Sequence, residues 1–277
     1  MPVETGYRDG REDSEMWQEE RQQKIRDRLA AFGQVSIDRI TEEFGVSRET
    51  IRRDLMEMEQ AGKLRRVRGG AVPVTREDTT YGIRTTQRLK EKRAIATTAI
   101  GLLNSGMTIF MDAGSTSFVM AETLAAPHGL TNLNIITNSV DVARLLAEGP
   151  GQPSRGFRVL MLAGEFRHDP METHGGATIN DIQRYRADVA LLAPWGIDAQ
   201  MGAMNHFIHG AEIARAMVRN SDRTIILADH SKIGAPARSV FCPTAEIDHL
   251  IVDEAADLRP GFGDLAQAVP GLIMARA

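Results

Sequence analysis

Six short apolar runs punctuate the chain after Met107: MTIFMD, LNIITN from Leu133, RVLMLAG from Arg158, ADVALLAP from Ala187, RTIILAD from Arg223 and HLIVDE from His249. Each has strand length, and each is continuously apolar rather than alternating. That pattern requires a strand buried on both faces. Because helical segments separate the runs, the first of them from about Arg88 to Leu103, the expectation is a mostly parallel sheet in an α/β domain. At 277 residues the chain has room for a second domain.

The first third reads differently. Residues 1–15 lack apolar periodicity and read as a disordered leader. From Trp17 to Phe32 a helical pattern runs through Ile25, Leu29 and Phe32 and stops at Gly33. Ile37, Ile40 and Phe44 share a face, Gly45 and Val46 turn the chain, and Ser47 caps a helix whose buried stripe is Ile51, Leu55 and Met58. Gly62 ends that helix. KLRRVRGGAVPV then reads as a hairpin turning near Gly69 and Gly70, and Pro73 with TREDTTYG as a linker. The expected divisions are a leader over 1–15, a helical head over 16–74 with its helix-turn-helix at about 35–54, a linker over 75–85, and a body over 86–277.

The chain carries a formal net charge of −4, yet Ser47–Leu55 (SRETIRRDL) and the segment from Lys63 concentrate arginine. Two helices joined by a tight turn place the second in the major groove, where every base pair presents a different edge. The stripe Ile51/Leu55/Met58 leaves Glu49, Thr50, Arg52 and Arg53 on or beside the outward face, and Arg48 and Thr50 join the arginines as candidate DNA contacts. Arg52 and Arg53 either grip guanine or clamp phosphate. Ser47 suits a phosphate oxygen. Lys63, Arg65, Arg66 and Arg68, with no acid interleaved, suit a wing gripping the DNA backbone or minor groove. A solvated helix face decorated by a Glu49–Arg53 pair is the bland alternative; the order helix, turn, capped helix, glycine, basic hairpin argues against it. Residues 19–74 resemble the winged helix-turn-helix of the DeoR family of bacterial transcription regulators, through ERQQKI, GVSRETIRRDL and AGKLRRVRGGAV.

In the body, Asp112-Ala113-Gly114-Ser115-Thr116-Ser117 follows the first apolar run and precedes a helix, a position at which open α/β sheets bind ligands and helix N-termini bind phosphate. Thr137-Asn138-Ser139 and Asp229-His230-Ser231-Lys232 repeat the pattern at other strand ends, so one shared pocket is expected. Gly114, Ser115, Thr116, Thr137 and Asn138 would line it. Lys232 and Arg167 are the cations for a phosphate, while Asp112, Asp198, Glu212 and Asp229 would hold sugar hydroxyls. Residues 86–254 resemble the DeoR sensor domain, itself similar to the ribose-5-phosphate isomerase and CoA-transferase-like fold, through DAGSTS, TNS, LAGEFR, GID and LADHSKIG. The resemblance implies a phosphorylated sugar or sugar derivative as effector, and self-association as a dimer or tetramer. It departs at Ala193-Pro194-Trp195, where the family has a Gly-Ala-Asp-like segment; Trp195 either stacks on a ligand in a changed pocket, the favoured reading, or simply fills space.

Two rival readings remain. The related isomerases use carboxylates as general bases, which would give Glu212 or Asp229 a catalytic role, but fold likeness does not establish chemistry. His206, His209 and Glu212, with His168 and His174 upstream, have spacing that could hold a metal; Gly210 makes MGAMNHFIHG read instead as a loop entering a helix at about Ala211. The expectation is a repressor rather than an enzyme, with no cofactor and no metal. Its partners would be operator DNA, a phosphorylated metabolite and itself. The N-terminus shows no signal-like apolar stretch and no run reaches membrane-spanning length, so a cytoplasmic site and no membrane partner are expected. The single cysteine, Cys242, reads as a small core residue beside Phe241.

Overall fold

The computed structural model describes residues 12–72, 81–148 and 155–276. The first part of the expected leader and residues 73–80 of the expected linker lie outside them. The chain divides into two compact units, Met1–Ile83 and Arg84–Ala277.

In the first unit, α1 (Glu12–Phe32) leads through β1 (Val35–Ser36) to α2 (Ile37–Phe44) and α3 (Arg48–Gln60), followed by β2 (Arg65–Val67) and β3 (Gly70–Val72). Helix α1 starts earlier than the Trp17 expected. Ile25, Leu29, Ile40, Ile51, Leu55, Met58 and Leu64 form the core. The expected position Phe32 is exposed, beneath the Arg28 guanidinium. Helix α3 ends in a Schellman motif: Gly62 has φ +65°, its N–H reaches Glu59 O, and Lys63 N–H reaches Met58 O at 2.8 Å. The basic hairpin gains a third strand, because Val35–Ser36 pairs antiparallel with β3.

Across the helices, Arg21 of α1 donates to both carboxylate oxygens of Asp54 at 2.7 and 3.2 Å, and Asp54 is buried. Helical spacing puts Asp54 on the same face as Ile51, Leu55 and Met58, where its residue type argues for solvent. Its burial is possible only because a guanidinium arrives with it, and breaking such a pair from one side costs about 3–5 kcal/mol.

The second unit opens with α4 (Tyr81–Thr86, whose start belongs to the first unit) and α5 (Leu89–Ile100). Helix α4 occupies part of the stretch expected to be linker. There follow β4 (Thr108–Met111), α6 (Ser115–Ala125), β5 (Asn134–Thr137), α7 (Val140–Glu148), β6 (Arg158–Met161), β7 (Glu165–Arg167), β8 (Glu172–His174) and α8 (Gly176–Ile182). The remainder is β9 (Val189–Leu192), β10 (Gly196–Asp198), β11 (Gly202–Asn205), α9 (Ile208–Arg219), β12 (Thr224–Ala228), β13 (Ser239–Cys242), β14 (His249–Asp253), α10 (Phe262–Ala268) and β15 (Leu272–Ala275).

All seven strands of the main sheet run parallel, in the order β15-β14-β12-β9-β4-β5-β6. The six apolar runs supply six of them; β15 is the addition. Side chains alternate between two cores. Ile109, Met111, Val189, Leu191, Ile225 and Leu227 face α5, α6 and α7, whereas Phe110, Ala190, Leu192 and Ile226 face α8, α9 and α10. Cys242 lies buried in the second core with Phe241. Two small antiparallel sheets, β10-β11-β13 and β7-β8, complete the unit.

The strand order places the site. From β4 the chain moves outward through β5 and β6, then returns to β9 on the other side of β4 and proceeds through β12 and β14 to β15. The C-terminal ends of β4 and β9 therefore flank the point where the winding reverses, which is where an open parallel sheet leaves a crevice.

Candidate functional site

On the head, Ser47 caps α3, its hydroxyl accepting the Thr50 N–H at 3.1 Å. Arg48, Arg52 and Arg53 are exposed, and so are Lys63, Arg65, Arg66 and Arg68. Arg48, Arg52, Arg66 and Arg68 line one groove between α3 and the hairpin; Arg53, Lys63 and Arg65 stand outside it. Two acids temper this surface. Asp38 pairs with Arg48. Glu59 takes the Arg66 backbone N–H and its Nε, each at 2.8 Å. The backbone N–H first, then the guanidinium, hold the Glu59 carboxyl below its ordinary range. The wing is thus not free of acid: one arrives from α3 and fixes Arg66 in place. Among the described residues Arg53 makes no ion pair with Glu49.

In the body a cavity opens at the reversal point. Its wall includes the loop from Asp112 to Thr116, the segment Ala193–Trp195, and Asn138, Arg167, Glu172 and Lys232. Glycine is needed at 114, because a Cβ there would come within 2.8 Å of the Ala193 Cβ. The close approach lets the first turn of α6 present its unsatisfied N–H groups, with Ser115 and Thr116, to the cavity. Asp112 is spent on the loop itself, accepting the Ser117 hydroxyl and, at 3.2 Å, the Ala193 N–H. Burial pushes its carboxyl up to about 6 despite those bonds.

Three cations reach the cavity: Arg84, Arg167 and Lys232. Trp195 is buried beside two of them, with the Arg84 guanidinium 5.2 Å and Lys232 Nζ 5.8 Å from its ring. His206 and Phe207 cover it further, with ring centroids at 5.3 and 6.0 Å. The indole therefore braces the cations, a geometry in which a desolvated cation–π contact is strongest. Behind the loop, the buried Lys92 donates to Arg84 O at 2.5 Å and to the Ser115 hydroxyl at 3.1 Å; burial lowers its ammonium to about 8.

Glu172 stands beside Asn138, whose Nδ2 donates to it at 3.3 Å, and 3.6 Å from Arg167. Burial first, and then the Asp112 charge, raise Glu172 to about 7 against the pull of Arg167. Near neutral pH three cations thus face a largely ionised Asp112 and a partly protonated Glu172, a balance that favours an anion.

Eight expected residues line this cavity: Asp112, Gly114, Ser115, Thr116, Asn138, Arg167, Trp195 and Lys232. Four do not. Thr137 is buried, with its hydroxyl accepting the Ser139 N–H. Asp198 accepts the Gln200 and Met201 N–H groups of a turn. Glu212 is exposed on α9, 4.0 Å from His209. Asp229 lies fully buried against Arg88 at 3.0 Å; burial alone would raise its carboxyl, but Lys232 and Arg88 hold it below the ordinary range. It works as a counter-charge under Lys232 rather than as a wall residue.

Sequence reasoning missed Arg84, Glu172 and Asn205. Arg84 sits in a stretch that reads as linker, and Glu172 in a hairpin without periodicity. The histidine reading also shifts. Helix α9 begins at Ile208, not Ala211, and Gly210 is inside it, where a Cβ would meet Asn205 Nδ2 at 2.7 Å. Among the described residues no three His, Cys, Asp or Glu side chains converge at metal-ligand spacing.

A winged helix-turn-helix joined to a parallel α/β unit with a cationic crevice defines a class: regulators in which a DNA-reading head is carried by a ligand-binding body. Residues 21–77 match the DeoR-like helix-turn-helix domain, and residues 87–254 match the DeoR C terminal sensor domain. The transcriptional repressor AccR of Agrobacterium fabrum (strain C58) is 33% identical over 238 residues, which is 85% of this chain and 89% of that protein. The glycerol-3-phosphate regulon repressor of Escherichia coli (strain K12) is 30% identical over 239 residues, 86% of this chain and 92% of the other. The HTH-type transcriptional repressor GlcR of Bacillus subtilis (strain 168) is 30% identical over 240 residues, 86% and 89%. Among solved structures, ribose 5 phosphate isomerase A from Neisseria gonorrhoeae aligns over 55% of this chain and 56% of that one, with a TM-score of 0.36 and 16% identity. The chain belongs to the DeoR family of transcription regulators.

Proposed function

We propose that this chain is an operator-binding repressor whose DNA affinity is set by a phosphorylated sugar or sugar-derived metabolite held in the crevice of the body. One observation carries the ligand class: the first turn of α6, Arg84, Arg167 and Lys232 converge on a single cavity. A phosphoryl group satisfies the orphan N–H groups and the cations together. The relative whose name refers to the glycerol-3-phosphate regulon fits that chemistry.

The protein acts in the cytoplasm, where its DNA is, as a homo-oligomer (dimer or tetramer), since helix-turn-helix heads read paired half-sites. Catalysis has little support in the cavity. Asp112 is committed to its own loop, and Glu172 lies between Asn138 and Arg167. No helix among the described residues is long and apolar enough to cross a membrane.

The test is a mobility shift of the DNA upstream of the chain's own gene, titrated with a panel of sugar phosphates. Selective release or tightening by one compound is the expected result. No DNA binding at any salt, together with turnover of a sugar phosphate, would replace the regulator by an isomerase-like enzyme.

A further inference from the structure

Asn138 lines the cavity and is 1% exposed. Both of its amide hydrogens are committed, one to Glu172 Oε2 at 3.3 Å and one to Thr173 O at 3.0 Å. Those two acceptors fix the orientation of the amide, since turning it over would set Oδ1 against the Thr173 carbonyl. Oδ1 is then a buried acceptor with no hydrogen-bond partner. Burying such an atom without a donor forfeits its hydration, so a ligand that brings a donor recovers this loss and one that does not leaves it standing.

We propose that Asn138 and Glu172 read an uncharged, hydroxyl-bearing end of the ligand, so that the pocket takes a phosphorylated polyol or sugar and rejects a phosphorylated carboxylic acid. This rests on the crevice being the metabolite site. A hydroxyl carries one donor and two acceptor sites. It donates to Asn138 Oδ1 and complements Glu172 in either protonation state, donating to the carboxylate or accepting from the acid.

A ligand carboxylate has no donor for Oδ1, and Asn138 has no N–H left to offer it. It would also meet two protein carboxyls, Glu172 and Asp112, in the same cavity. A protonated amine would satisfy Oδ1 but would face the Arg167 guanidinium, which stands 3.6 Å from Glu172 Oε1. A neutral hydroxyl supplies the donor that Asn138 Oδ1 lacks without adding a charge beside the Arg167–Glu172 pair.

The experiment is calorimetric titration of the full chain with inorganic phosphate, glycerol 3-phosphate, glucose 6-phosphate, and the acids 3-phosphoglycerate and 6-phosphogluconate. The wild-type chain should bind at least one of the two hydroxyl phosphates about tenfold or more tightly than its acid counterpart and than inorganic phosphate. In Asn138→Ala the ratio of hydroxyl phosphate to inorganic phosphate should fall toward one. Glu172→Gln keeps the volume and gives a carboxylate ligand an N–H, so it should tighten binding of the acids even where Asn138→Ala fails to fold. Equal affinity within both pairs, or ratios that neither variant changes, overturns the inference while phosphate binding keeps the pocket assignment. Failure of all five compounds to bind overturns the pocket assignment and this inference together.

Discussion

Glu172 concentrates the electrostatic tension of the body in one side chain. It is buried beside a second acid, and its carboxyl stands at about 7 rather than at the ordinary 4.5. The folded chain therefore holds a proton between about 4.5 and 7 that the unfolded chain has released, so stability must fall as pH rises through that window. Below it the contribution is fully present; above it the contribution is lost. A shift of this size corresponds to something on the order of 3 kcal/mol, and Asp112, raised to about 6 from 3.8, adds in the same direction. Calorimetric melting of the full chain from pH 5 to pH 8 should show the body's midpoint declining, and Glu172→Gln should flatten the decline and leave the variant the more stable of the two at pH 8. Identical slopes in the two proteins would remove Glu172 as the source.

Helix α3 and the hairpin divide the work of DNA binding by geometry. Arg52 and Arg53 project from the first turns of α3, while Arg65 and Arg66 extend from β2. Arg52→Ala or Arg53→Ala should reduce operator affinity by about 1–3 kcal/mol and relax base preference, as a lost base contact does. Arg65→Ala should weaken specific and random DNA alike and reduce the salt slope by about one. Measured salt slopes separate the two roles, and an unchanged slope in Arg65→Ala would take the wing off the phosphates. These elements were legible in the sequence because each is written locally: a serine cap, a stripe at helical spacing, a glycine stop, a cluster of like charge. The six sheet strands were legible for the same reason. What escaped was written between elements. Val35–Ser36 becomes a strand only because β3 lies beside it, and a carboxylate is tolerated on the buried face of α3 at Asp54 only because Arg21 meets it. Arg84 and Glu172 join the cavity because the fold carries them there, whereas Asp198 and Glu212, whose residue types suited a sugar, are directed elsewhere by a turn and an exposed helix face.

For the molecule as a whole, control of DNA by a metabolite requires that the metabolite bind the DNA-competent and DNA-incompetent states with different affinity. Lys232 is the residue with which to separate binding from control. It reaches the cavity and one face of Trp195, and it lies far along the sequence from the helix-turn-helix. Lys232→Ala should still shift operator DNA in the absence of metabolite, yet should need a much higher concentration of the effective sugar phosphate to change that shift. Linkage adds a stricter requirement. If the metabolite changes operator affinity by some factor, saturating operator must change metabolite affinity by the same factor, in the range of about 5–150-fold for couplings of 1–3 kcal/mol. Titrating the sugar phosphate into wild-type protein, with and without operator, measures that factor from the second side. A mismatch between the two factors would mean that the compound acts on the DNA shift by some route other than the cavity. A match that disappears in Lys232→Ala would tie repression to the crevice between β4 and β9.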